Sequence, residues 1–306
     1  MAFLFLPLFL LPLLTKDERT QPMEEIISIG NLKAHVRNLH FDRNPYDRLH
    51  ELEEAGQYIY SEFLKAGLRV WEESFQWEGK SFKNIIAEKK GVASPEKIFI
   101  LGAHYDTVPG SPGADDNASA IALLLEVAGD IRKMEFSSTI RLIAFNLEEY
   151  GYIGSIHYAE RAKREGEKIV GMISVEMVGF TDSRQAYPPY LDPKYYPNVG
   201  DFIAIIGNER SKGFVEKVYQ SFRTRVPKLP VEFLVVPQNG ERTEEARLSD
   251  HCPFWDQGFP ALMVTDTAFL RNPNYHLPTD TMDTLDFEFM RKVTAGIIYS
   301  LSELAK

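Results

Sequence analysis

The sequence predicts an α/β fold, a mostly parallel or mixed central sheet with helices on both faces. Three observations carry that expectation. Strand-like and helix-like segments alternate along most of the chain, several strand-like runs are apolar throughout, as buried strands are, and no internal repeat or long Gly/Ser linker interrupts them. A length of 306 residues would allow two domains of about 150 residues each. The continuous alternation argues instead for one domain over residues 23–306.

Asn44-Pro45 opens a helical stretch through Lys65. Leu49, Leu52, Tyr58, Ile59, Phe63 and Leu64 share one broad face, and Gly67 ends the stretch. Short β-rich runs follow at residues 84–88, 97–103, 139–146, 170–175, 202–207, 232–236 and 260–265. Helical patterns separate many of them, at residues 117–133, 153–165 and 211–223, and another spans residues 287–304.

Residues 1–22 stand apart as an apolar N-terminal segment. Residues 2–14 are an unbroken apolar run, within the roughly 7–15 residues of a signal-peptide core and too short to span a bilayer. No Lys or Arg precedes the run, and Thr15-Lys16-Asp17-Glu18-Arg19 follows it where a small-x-small cleavage site would stand. A signal or anchor and a plain apolar arm both fit. Membrane association or export would therefore run through residues 2–14, with a cytoplasmic location otherwise. The single cysteine, Cys252, excludes an intrachain disulfide and leaves the compartment open.

Composition narrows the partners. With 44% hydrophobic and 25% charged residues the chain is globular in character, which excludes a disordered tail or a collagen-like fibre. Lys and Arg number 34 against 44 Asp and Glu, a net charge of −10, so the footprint of a nucleic-acid binder is absent. Metal cations are the more natural partners.

An open α/β sheet binds its ligand beyond the C-terminal ends of its strands, and that is where the acids and imidazoles fall. Ile98-Phe99-Ile100-Leu101 runs into His104-Tyr105-Asp106, Leu142-Ile143-Ala144-Phe145 into Glu148-Glu149, and Ile173-Ser174-Val175 into Glu176. Asp115-Asp116-Asn117 opens the helix after the first of these strands, and Tyr275-His276 sits in a Pro-rich loop past the last. Taken singly, each has a plain reading: Asp116 as a helix N-cap, His104 as a hydrogen-bonded edge residue, Glu148-Glu149 as solvated acids, Glu176 as a cap or lysine partner. Those readings do not explain five groups converging on one sheet edge, in a carboxylate and imidazole set that suits zinc or a similar divalent ion.

These motifs carry a resemblance. Gly102-Ala103-His104-Tyr105-Asp106, Pro112-Gly113-Ala114-Asp115-Asp116-Asn117-Ala118-Ser119, Asn146-Leu147-Glu148-Glu149-Tyr150-Gly151, Glu176-Met177-Val178-Gly179, Ser249-Asp250-His251 and Tyr275-His276, in that order, resemble the zinc aminopeptidase family. That family includes double-zinc leucyl aminopeptidase-like members with glutamate carboxypeptidase-like and glutaminyl cyclase-like relatives. The resemblance covers residues 23–306 and implies a zinc-exopeptidase-like catalytic domain. It implies one zinc between Glu149, His276 and a bridging Asp116, and a second between His104, Glu176 and the same bridge. It further implies Glu148 as general base, Asp106 as acceptor of the free ring N–H of His104, and Tyr275 as a donor to the oxyanion or a loop-packing residue. Asp250 and His251 would then lie near the substrate cleft. Asp115 is expected to be only a cap or turn residue.

Three carboxylate ligands against two divalent ions leave about one positive charge for Lewis-acid work. One departure stands out: most zinc aminopeptidases of this pattern carry Asp where Glu176 stands, and the extra methylene shifts the carboxylate by roughly 1.5 Å. The function expected is removal of N-terminal residues from a peptide or aminoacyl substrate. The alternatives are a single-zinc glutaminyl cyclase-like acyltransferase on Asp116, Glu149 and His276, and a non-catalytic relative. Residues 179–201, rich in Tyr and Pro, would form a pocket wall or a packed surface loop, and residues 237–248 a second loop near the cleft. Phe254, Trp255 and Phe269 suit an apolar pocket or the core.

Overall fold

A computed structural model describes residues 26–306, so the expected apolar segment, with its 2–14 run, lies outside the described residues. Eight strands form one mixed sheet: β1 (Arg69–Trp77), β2 (Lys80–Lys89), β3 (Ser94–His104), β4 (Ser138–Phe145), β5 (Lys168–Glu176), β6 (Ile203–Asn208), β7 (Val231–Val236) and β8 (Ala261–Thr265). Their order is β1-β2-β4-β3-β5-β8-β6-β7. The central run β4-β3-β5-β8 is parallel, whereas β2 joins β4, and β6 joins β8, antiparallel. The predicted α/β class with a mixed sheet is therefore what forms.

Helices cover the sheet unevenly. On one face α1 (Ile29–Leu39), α2 (Leu49–Lys65), α3 (Ala120–Ile131), α5 (Lys212–Arg225) and α7 (Phe287–Leu304) bury Leu32, Ile59, Leu123, Phe222 and Ile297 against the strands. The other face carries α4 (Ile153–Glu165) and the short α6 (His251–Asp256), which bury Tyr158, Ala162, Phe254 and Trp255. Phe254 and Trp255 thus belong to the core. Toward β8, β6 and β7 this second face opens into a cleft.

Two elements were not anticipated. α1 carries a narrow apolar stripe, Leu32, Val36 and Leu39, and the Ser28 hydroxyl caps it by accepting from the backbone N–H of Asn31 at 3.2 Å. β1 is an edge strand with Phe75 as its one buried side chain, so it shows no apolar run. The helix expected from Asn44-Pro45 begins at Leu49 instead, because Asn44 folds into a turn in which its side-chain oxygen accepts from the backbone N–H groups of Tyr46 and Asp47. The helix expected over 117–133 also starts late. Residues Ala114–Ser119 form an irregular π turn with non-helical angles at Asp116 and Asn117, and α3 begins at Ala120.

Candidate metal centre

His104 ends β3, Glu148 and Glu149 follow β4, and Glu176 ends β5, so three neighbouring parallel strands deliver them to one edge. Asp116 comes from the turn before α3, and His276 from the loop after β8. The backbone holds unusual conformations here: Leu147, Met177 and His276 have φ of 59°, 46° and 60°. Left-handed backbone costs a non-glycine residue about 1–2 kcal/mol, and such positions concentrate where a side chain must be aimed. Gly113, at φ 56°, is required because a Cβ there would collide with the carbonyl oxygen of Asp116.

Asp116 is the pivot. Its Oδ1 lies 3.3 Å from Nε2 of His104 and its Oδ2 lies 3.2 Å from Nε2 of His276, so one carboxylate presents an oxygen to each imidazole. On the first side Glu176 Oε1 stands 3.4 Å and Glu148 Oε2 3.8 Å from the same His104 nitrogen. On the second, Glu149 Oε2 is 3.0 Å from His276 Nε2. All except His276 are largely buried.

Another acid holds the turn that carries Asp116: Asp280 accepts from the backbone N–H groups of Asp115 and Asp116, at 2.9 and 3.1 Å, and so fixes the backbone from which the Asp116 side chain projects. Asp115 is more than a turn residue. Fully buried, it accepts from the Gly179 N–H and the Asn272 amide and faces Asp266; burial and that second acid push its carboxyl well up. Arg43, also fully buried, donates to the carbonyls of Leu39, Phe41, Tyr105, Pro112 and Gly113, clamping the segment before Asp116 to the one after His104. Burial lowers its pKa to about 10, with Asp106 and Asp116 opposing, so it remains charged at neutral pH. The sequence gives little sign of these residues, since most of their partners are distant along the chain.

The remaining expectations divide. Asp106 lies 3.7 Å from His104 Nδ1, too long for a hydrogen bond; its oxygens instead accept from the backbone N–H groups of Glu148 and Glu149, at 3.1 and 3.2 Å. Ser249 donates to Glu176 Oε2 at 2.8 Å, leaving Oε1 to face His104, which is how the longer side chain is steadied. Tyr275 lines the cleft and stacks on His276 with ring centroids 3.7 Å apart. Asp250 and His251 are fully buried and not among the side chains that line the cleft: Asp250 stands just before α6, near enough to His104 and Glu176 to feel their charge, and His251 opens α6. The His251 ring meets Trp255 edge-on, and its Nε2 lies 2.9 Å from the Ala246 carbonyl as donor. The cleft, about 300 Å³, takes Tyr187, Tyr190 and Tyr196 from the 179–201 loop, Leu248 from the second loop, and Phe269.

The electrostatics call for added positive charge. Burial alone would raise the Asp116 carboxyl, but the two imidazoles override it and hold it well below the ordinary range. Burial and the neighbouring Asp116 push Glu149 up to about 8. His276, which burial alone would lower, is raised to about 10 by Asp116 and Glu149. A divalent cation satisfies the same fields. His104 Nδ1, Glu149 Oε1 and His276 Nε2 are buried atoms without an aligned hydrogen-bond partner, and two groups of His104 with surrounding carboxylates lie close enough to share an ion. Imidazole and carboxylate gathered this closely form a donor set that fits zinc.

Comparison with known proteins agrees with this chemistry. The sequence profile of Peptidase family M28 matches residues 84–301. A protein of Escherichia coli strain K12, YfbL, described as uncharacterized, is 31% identical over 97% of this chain and 96% of its own length. The solved structure of a zinc aminopeptidase from Bacillus subtilis superposes at a TM-score of 0.57 with 26% identity, over 75% of this chain. This chain spans about half, 52%, of that enzyme. A Porphyromonas gingivalis glutaminyl cyclase shares the fold, with TM-score 0.71 at 20% identity over 91% of this chain and 99% of that one.

Proposed function

The chain belongs to peptidase family M28, a zinc peptidase by that kinship, and from this premise we propose that it is an aminopeptidase using two zinc ions. The observation that carries the reading is Asp116, with one oxygen turned to each of two imidazoles. Glu149 and His276 would hold one ion with it, and His104 and Glu176 the other. Zinc at this place supplies a Lewis acid for the scissile carbonyl and lowers the pKa of the attacking water.

The chain's own groups do the rest. Glu148, a buried side chain that lines the cleft, removes the proton of the attacking water at a carboxylate oxygen and delivers it to the leaving amine nitrogen. Asp106 keeps Glu148 and Glu149 in register by accepting both of their backbone N–H groups. Tyr275, kept protonated by burial and the surrounding acids, lines the cleft and would serve there as a hydroxyl donor to the oxyanion. We assign this work to one catalytic domain, residues 23–306, and any export or membrane attachment to residues 2–14.

The glutaminyl cyclase-like alternative draws support from the close match in length to the Porphyromonas gingivalis enzyme. It needs one zinc on Asp116, Glu149 and His276, and leaves the His104–Glu176 pairing without a task. Metal content by plasma mass spectrometry, run beside hydrolysis of aminoacyl amides and cyclisation of glutaminyl peptides, decides between them. Two zinc per chain with chelator-sensitive release of amino acids is expected. One zinc with cyclisation would favour the alternative, and no metal under zinc-replete conditions would end both.

A further inference from the structure

The strand register shows where the cleft leads. Glu176 pairs with Thr265, Thr265 with Ala204, and Ala204 with Glu232, so these four residues form one row across β5, β8, β6 and β7. Paired residues share a sheet face, and the row therefore starts at the metal centre and ends at Glu232 on the cleft floor. The next row on the same face is apolar: Met263 pairs with Ile206, which pairs with Leu234. Above the floor stand Tyr187 and Tyr196, with ring centroids 5.3 Å apart, and Tyr190.

An apolar floor under aromatic walls would suit a Leu or Phe side chain if Glu232 were absent. Glu232 is partly buried on that floor, and burial is the influence that raises its carboxyl, with no cation opposing it. Seating an apolar side chain over this carboxylate would strip water from it with nothing in return, which is unfavourable. A cation at the same point pairs with the carboxylate and also gains from the tyrosine faces.

Resting on the aminopeptidase reading above, we infer that the cleft selects an N-terminal residue with a long apolar stem and a cationic tip, lysine or arginine, whose charge Glu232 receives. Lengths agree with this. Three strand spacings separate the Glu176 and Glu232 backbones by about 14 Å. A lysine side chain spans about 7 Å from carbonyl carbon to ammonium, about half of that lateral distance along the floor. The net charge of −10 further favours a cationic substrate at a distance.

The test compares lysyl, arginyl, norleucyl and leucyl amides on the zinc-loaded protein, norleucine being the lysine stem without its charge. A kcat/KM at least tenfold higher for lysyl or arginyl than for norleucyl is expected, and in Glu232→Gln that ratio should fall to near one. Glu232→Asp should retain part of it. Equal rates for lysyl and norleucyl in the wild type, or an unchanged ratio in Glu232→Gln, would overturn the inference while leaving the peptidase intact. Calorimetric titration with L-lysinol and L-norleucinol reads the pocket without turnover. If no amide is cleaved, the aminopeptidase reading fails, and a tenfold lysinol preference or its absence still decides the pocket.

Discussion

Glu148 and Glu149 are adjacent in sequence yet differ in what surrounds them. Glu149 Oε2 is turned to His276, whereas Glu148 stands nearest His104 at 3.8 Å and faces the cleft. A group assigned to proton transfer and not to metal holding should be separable by one substitution. Glu148→Gln keeps the shape and the backbone hydrogen bond to Asp106, so bound zinc should be unchanged while kcat falls about 10²–10⁴-fold. Loss of zinc in that variant would instead make Glu148 a ligand. At this scale the sequence was informative where strands run straight into an imidazole or an acid, as at His104, Glu148, Glu149 and Glu176. It was silent on Asp280, which acts on the Asp116 turn from 164 residues away. His251 misled for a physical reason: neighbouring a polar motif, it is nonetheless turned into the core against Trp255.

Between elements, Arg43 joins the end of α1 to the two segments that leave β3. Its guanidinium meets five carbonyl oxygens, so removing it would leave several buried acceptors unsatisfied at once. Arg43→Met is expected to lower stability by about 3–5 kcal/mol, read from the urea midpoint, because the charge and the acceptors are both buried. A loss under about 1 kcal/mol would show that water reaches those carbonyls. Elements with a strong period, such as α4 and α7, were legible to the residue, as Ile153–Glu165 and Phe287–Leu304 show. β1 was not, since an exposed edge strand has little reason to carry an apolar pattern. Nor was the late start of α3, because the irregular turn that precedes it is held in part by Asp280, far away along the chain.

For the molecule as a whole, stability should depend on a histidine that has no part in the proposed chemistry. Burial drives the His251 pKa down to about 4, against 6.5 for a free imidazole. Between those values the unfolded chain binds a proton that the folded chain does not, so stability falls as pH drops from about 6.5 toward 4. At pH 5 this group alone should cost about 2 kcal/mol relative to pH 7.5. His104 and His276 titrate too, so the quantity to measure is the difference between wild type and His251→Gln across urea midpoints at several pH values. The variant should lack that 2 kcal/mol slope, and parallel curves would show that His251 already titrates normally in the folded protein.

Breaking peptide bonds and recognising their owners fall to different parts of one sheet. β3, β4 and β5 aim the groups assigned to the reaction, while β6 and β7 build the floor along which a side chain would lie; β8 has a part in both, through its floor residues and the loop bearing His276. Change can therefore accumulate on two outer strands and one aromatic loop without disturbing any residue that faces the scissile bond. Descendants of such a molecule can acquire new diets while inheriting the same teeth.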